Sequence, residues 1–175
     1  MRAVIRRMFV TVGTDHHPFD RLVGWAENWA ARVEDWDVQI QHGRSRAPRH
    51  GTGFAFCDHD RLQELFEVSD VIVCHGGPAT ITEARRLGHR PIVVPRDPAR
   101  GEHVDNHQQL FSRRLGAAGV VELVENEDDF LAAVVASSYL PRQRSSSEEI
   151  PPGVFAVGAV AEQLAFRRQG IRRDT

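Results

Sequence analysis

Short runs of apolar, mostly β-branched residues alternate along this chain with longer stretches whose apolar positions recur every three or four residues. Met8-Phe9-Val10-Thr11-Val12 reads as a buried strand ending at Gly13. Val38-Gln39-Ile40, Phe54-Ala55-Phe56, Asp70-Val71-Ile72-Val73-Cys74, Pro91-Ile92-Val93-Val94-Pro95 and residues 119–124 read as further strands. The stretch 70–74 is a continuous apolar run of the kind buried on both faces of a parallel sheet. Between the strands, 19–33 carries Leu22, Trp25, Ala26, Trp29, Ala30 and Val33 along one helical face. Helices are also expected over 61–67, 78–87 (stopped by Gly88), 102–115 and 128–135, with 43–52 as an exposed loop. Parallel strands need crossover helices, so this alternation predicts an α/β fold built on a single doubly wound parallel sheet. The folded domain is expected over 1–136 and a Ser- and Pro-rich linker over 137–152. A C-terminal helix and tail over 153–175 then forms a possible partner-docking element.

The length of 175 residues suits one domain, and the net charge of −2 argues against a nucleic-acid partner. All 22 basic side chains are arginine, so no Walker A lysine, Schiff-base lysine or lysine general base exists in the chain. Cys57 and Cys74 form no framework and read as reduced, buried thiols of a cytoplasmic protein. The apolar run 8–12 is too short for a signal-peptide core. The uncharged stretches 130–141 and 150–161 fall short of the ~20 residues a membrane helix needs. Membrane association is therefore expected only through a partner or a surface helix.

Ligands of a doubly wound sheet bind beyond the carboxyl ends of its strands, and two unusual stretches fall there. In the first, Val73-Cys74-His75-Gly76-Gly77-Pro78-Ala79-Thr80-Ile81-Thr82-Glu83, a strand runs into two glycines and a proline opens a helix. The glycines let an anion approach the backbone, and the amides of Gly77, Ala79 and Thr80 are left without helical partners, a ready anion site. Thr80 adds a hydroxyl donor and His75 an imidazole donor. Glu83, one turn on, disfavours phosphate but accepts from both hydroxyls of a ribose. Phosphate donors followed by a diol acceptor describe a nucleotide diphosphate, while a plain Gly-rich turn beside a surface glutamate is the simpler alternative. No G-x-G-x-x-G dinucleotide fingerprint occurs.

The second stretch runs from Pro95 to Gln108 and is dense in hydrogen-bonding side chains, as a sugar requires. Arg96, Arg100 and His103 stand where a carboxylated sugar can be recognised, although exposed loop arginines are more often only solvated. His103 and His107 stand at i, i+4 with Asp105 between, like a zinc helix. The glutamate base of such a helix is missing and no third ligand is recognisable, so no metal is expected.

At these two stretches the chain resembles the C-terminal, donor-binding domain of glycosyltransferase family 28, in particular the small subunit of split UDP-sugar transferases of dolichol-linked GlcNAc and bacterial exopolysaccharide synthesis. Phe9-Val10-Thr11-Val12-Gly13-Thr14, His75-Gly76-Gly77 through Glu83, and Asp105-Asn106-His107-Gln108 carry the resemblance, over roughly 8–125. It implies a Rossmann-like domain equivalent to the C-terminal half of a GT-B enzyme. It implies that Gly76, Gly77, Ala79 and Thr80 hold the donor diphosphate with His75 nearby, and that Glu83 binds the ribose. Glu102 and His103 fall where related enzymes set an acidic–glutamine pair against the donor sugar, with histidine replacing glutamine here. Asn106 matches an asparagine of the family, and Gly13 and Thr14 would face the interdomain cleft. His75 and Thr80 would stabilise the leaving group. The resemblance further implies a UDP-sugar donor, no cofactor, and an acceptor base on a membrane-anchored, acceptor-binding partner subunit. A non-catalytic nucleotide-sugar-binding protein is the alternative. A UDP-sugar epimerase is set aside because related epimerases carry both domains in one chain.

Overall fold

The computed structural model describes residues 5–141, and the helix expected over 153–168 lies outside them. Six strands form one parallel sheet: β1 (Arg6–Thr11), β2 (Trp36–Gln41), β3 (Thr52–Phe54), β4 (Val71–Cys74), β5 (Ile92–Val93) and β6 (Glu122–Leu123). Their spatial order is β3-β2-β1-β4-β5-β6. The chain winds outward from β1 in one direction, returns, and winds outward from β4 in the other. A crevice therefore opens at the carboxyl ends of β1 and β4, where successive crossovers diverge.

Five α-helices accompany the sheet among the described residues: α1 (Asp20–Ala30), α2 (His59–Val68), α3 (Pro78–Arg86), α4 (His107–Ala117) and α5 (Glu127–Ser138). Strand periodicity sorts the core between them. On β1, Met8 and Val10 join Val71 and Val73 of β4 against α1 (Leu22, Val23, Ala26) and α5 (Phe130, Ala133, Val134). Phe9 and Ile72 face the opposite way, onto Leu65 and Phe66 of α2 and Ala84 of α3. Cys74 and Val93 pack on that second face against Ile81 and Leu115. Every residue of β4 is buried, as a central strand covered on both faces must be.

Several boundaries differ from expectation for local reasons. β3 starts at Thr52 rather than Phe54, because Gly51 turns with φ +83° and Thr52 then pairs with Gln39. β5 and β6 are shorter than their apolar runs, although single bonds extend the pairing, Val94 N–H to Cys74 O (2.9 Å) and Val124 N–H to Val93 O (2.9 Å). The helix expected from Glu102 begins only at His107. Asp97 caps a 3₁₀ turn over Pro98–Arg100, Gly101 takes φ +73°, and Glu102 is drawn inward, so 101–106 cannot be helical.

Candidate functional site

The crevice is built from three segments: the loop after β1, the loop between β4 and α3, and the long connection between β5 and α4. Buried polar groups fix the first. Thr11 Oγ1 donates to Gln41 Oε1 (2.5 Å) and accepts from Gly13 N–H (3.2 Å). Gln41 Nε2 donates to Gly13 O (3.1 Å) and Ala55 O (2.9 Å). With Gly13 at φ +75°, this network turns the chain sharply off the strand end.

The second segment begins with His75, whose backbone N–H still bonds Thr11 O (3.2 Å). Its side chain is almost fully buried between two glycines: a Cβ on Gly13 or on Gly77 would overlap the imidazole ring. Burial, reinforced by the positive charge of Arg96, pushes the His75 pKa down to about 3, so the ring is neutral at physiological pH. His75 therefore offers one N–H and no charge, and its Nδ1 has no hydrogen-bond partner. Gly76 is hemmed in from the other side, where a Cβ would come within 2.6 Å of Ser112 Oγ and 3.0 Å of Gln108 Cβ on α4. Sequence reasoning assigned these glycines to ligand approach, but packing against His75 and α4 already demands them.

Because a proton on His75 is disfavoured only in the folded state, the unfolded chain binds more protons between about pH 6.5 and pH 3. The contribution of His75 is complete above that window and is lost as pH falls through it. Urea midpoints measured from pH 7 to 4 are expected to decline less steeply in His75→Asn than in the native protein. Parallel declines would show that His75 does not titrate this way.

Helix α3 opens at Gly77 with Pro78 in its first turn and no side chain capping it. The amides of Ala79 and Thr80 therefore point outward without intrahelical partners, beside the neutral ring of His75. Ala79 is exposed and Thr80 half-buried. The Glu83 carboxylate is 22% exposed and loosely paired with Arg86 (3.4 Å), which leaves it accessible one turn beyond the cradle.

The third segment divides the remaining candidates. Glu102 is 5% exposed, and its carboxylate accepts from Arg21 Nε (2.9 Å), Arg21 Nη2 (2.8 Å) and Asp97 N–H (2.8 Å). That leaves little capacity for a sugar hydroxyl, and Glu102 serves to anchor the loop on α1. Arg96 is not a loop arginine in solvent. It is 0% exposed and donates to Val12 O (2.7 Å), His17 O (2.8 Å) and Glu102 O (2.9 Å), with its guanidinium 4.8 Å from the Phe19 ring centre. One buried side chain thus ties the first and third segments together.

His103 lies outside α4, so it does not share a helix face with His107 as the i, i+4 spacing suggested. Its Nε2 points across the crevice at Asp15 Oδ2 (3.6 Å). Asn106 is exposed at the start of α4, and its side chain makes no capping bond. Thr14 is exposed on the first loop. The fold therefore gathers Gly13, Thr14, His75, Gly76, Gly77, Ala79, Thr80, Glu83, His103 and Asn106 along one sheet edge, while the Glu102 carboxylate is engaged by the protein itself. Sequence reasoning missed Asp15, Arg21 and Gln41. The alternation of Thr11 and Gln41 at the ends of two apolar strands was the available signal for the buried network.

The model of the glycosyltransferase family 28 C-terminal domain matches residues 7–151. A UDP-N-acetylglucosamine--N-acetylmuramyl-(pentapeptide) pyrophosphoryl-undecaprenol N-acetylglucosamine transferase of Desulforudis audaxviator is 28% identical over 110 residues, 59% of this chain and 30% of the relative. The UDP-N-acetylglucosamine transferase subunit ALG13 of Eremothecium gossypii is 32% identical over 101 residues, 57% of this chain and 45% of the relative. The chain thus aligns with less than half the length of either curated relative. Among solved structures, the glycotransferase of kitacinnamycin superposes with a TM-score of 0.61 at 19% identity, covering 93% of this chain and 40% of that one. The sheet and its crossovers are therefore those of one lobe of a two-lobed GT-B glycosyltransferase. With the family model spanning the whole crevice and both of its characteristic loops, the chain belongs to glycosyltransferase family 28, whose C-terminal domain it carries.

Proposed function

We propose that this chain binds the donor of a UDP-sugar-dependent hexosyltransferase, with UDP-N-acetylglucosamine or another UDP-hexose as donor and a lipid-linked or polysaccharide acceptor. The observation that carries the reading is the uncapped start of α3 at the sheet's switch point, with Glu83 accessible one turn further on. The curated relatives named above, both N-acetylglucosamine transferases, support the donor class.

In this reading the diphosphate lies on the amides of Ala79 and Thr80, and the Thr80 hydroxyl and the neutral His75 N–H donate to its oxygens. Oriented dipoles in a partly dry crevice stabilise the charge that develops as the bond from the anomeric carbon to the diphosphate breaks. The chain lacks lysine, and this chemistry does not need one. The incoming acceptor hydroxyl must lose a proton, and we assign that base and the acceptor site to a membrane-associated partner; the ALG13 relative's description as a subunit supports the existence of a second chain. No helix among the described residues is long and apolar enough to cross a membrane.

Calorimetric titration tests the site. UDP is expected to bind the native chain, and Glu83→Ala is expected to weaken it about tenfold, the loss of about one charge-assisted hydrogen bond to the ribose. No UDP binding, or equal binding by the variant, removes the proposal. Full sugar transfer by the isolated chain would leave the donor site standing and remove the two-subunit part.

A further inference from the structure

A surface helix normally turns one apolar stripe to the core and a polar face to water. Helix α5 departs from this pattern. Glu127, Asp128 and Asp129 fill its first turn, but no charged residue follows from 130 to 141. Phe130, Ala133 and Val134 pack into the core, while Ala132, Val135, Ala136, Tyr139 and Leu140 on the opposite side are exposed. Tyr139 is 71% and Leu140 61% exposed. A helix that is apolar all round belongs in an interior, so its outer face calls for a cover.

A groove of about 710 Å³ lies beside this face. One wall is the α5 stripe Asp129, Ala132, Ala136 and Leu140, and the other is the amino edge of the sheet at Val71 and Leu123. It is therefore at the opposite end of the sheet from the donor crevice. Pro141, the last described residue, stands at the mouth of the groove. The chain continues through 142–152 into 153–168, where Val154, Val157, Ala161 and Leu164 repeat the three- and four-residue spacing of the α5 stripe. Residues 142–152 span up to ~40 Å when extended, and α5 is only ~18 Å long, so either end of the groove is within reach. A helix over 153–168 would be ~24 Å long, enough to cover α5 from end to end.

We propose that residues 153–168 of this chain fold back as a helix into the groove, antiparallel to α5, and cover its apolar face. Charge selects the direction. In the antiparallel arrangement Val154 meets Leu140, Val157 meets Ala136, and Ala161 meets Ala132, so the uncharged stretch 150–161 lies on the uncharged half of α5. Arg167 and Arg168 then arrive at the first turn of α5, beside Asp128 and Asp129. A parallel return would set both arginines beside Tyr139 and Leu140 and leave the carboxylates unanswered. A second copy of α5 is a poorer cover, because an antiparallel pair would lay each acidic first turn on the other's apolar end.

Cysteine pairing in the full-length chain tests the arrangement, with Cys57→Ser as background and Cys74 left buried. Ala136→Cys with Val157→Cys is expected to form a disulfide within one chain under mild oxidation. Ala136→Cys with Ala159→Cys, which turns the second thiol to the far side of the helix, is expected to react at least ~10-fold more slowly. Thermal unfolding of the reduced variants establishes that each folds. Equal rates for the two pairs, disulfides only between chains, or no disulfide in the folded protein would overturn the proposal. Leu164→Asp gives a second reading without cysteines: the urea midpoint is expected to fall by about 1 M at unchanged protein concentration. An unchanged midpoint would mean that the segment serves an external partner, and a native midpoint that rises with protein concentration would mean that a second copy covers α5; either result removes the proposal. No nucleotide is present, so these outcomes are separate from those of the UDP titration.

Discussion

Replacing Arg96 with methionine is expected to cost about 3–5 kcal/mol of folding stability, although the residue sits in a connection that reads as polar surface. Methionine retains much of the volume and removes the fork of donors. The carbonyls of Val12, His17 and Glu102 then lose their partner inside the protein, and each unsatisfied buried acceptor costs about 1–3 kcal/mol before water or local shifts recover part of it. The same change removes the cation that faces Asp15 and Glu102. Urea denaturation is the direct measurement: the midpoint should fall with little change in slope. Arg100→Met, at an exposed site four residues on, is expected to stay within about 0.5 kcal/mol of the native protein. A loss below ~1 kcal/mol in Arg96→Met would mean that the first and third segments of the crevice are held together by other contacts.

Gly77→Ala is expected to damage the site through a single methyl group. Gly77 has φ −77°, so alanine carries no backbone penalty there, and the effect is purely steric. The new Cβ would overlap the buried imidazole of His75, which cannot swing away because Gly13 closes its other side. Over-packing of this sort costs about 1–3 kcal/mol. Displacing the α3 start is also expected to weaken UDP at least ~10-fold, since donor geometry governs anion binding. A double-mutant cycle isolates the cause. His75→Ala removes the ring that the methyl strikes, so the combined stability loss should fall short of the sum of the single losses by at least ~1 kcal/mol. Strict additivity would show that Gly77 is required for some other reason.

The two readings of Gly76 and Gly77 illustrate how far a sequence carries. A strand, two glycines and a proline-opened helix were enough to mark a candidate anion site, because these features act locally: the strand ends, the helix starts, and the first amides go unpaired whatever else the chain does. The reason for the glycines was not legible, since it depends on His75 and on Ser112 and Gln108 of α4 arriving beside them. Glu102 marks the same boundary. Its place in the chain matched the donor-sugar position, but its partner, Arg21, is 81 residues away on α1. The fold had already committed the carboxylate.

The alternation of buried runs and amphipathic stretches determined the α/β class and the sheet edge along which the candidate residues gather. Hydrophobic period is a property of neighbouring residues and survives without tertiary information. The absence of lysine determined that no ammonium side chain holds a phosphate, which leaves backbone amides, hydroxyls, imidazole and guanidinium for that task. Only the tertiary structure decided which polar groups remain free to act. It buried His75 and so left it neutral, drew Arg96 out of solvent, spent the Glu102 carboxylate on α1, and brought His103 across to Asp15. Charge, protonation and hydrogen-bonding capacity depend on dielectric and on partners distant in the chain, so composition and spacing cannot fix them.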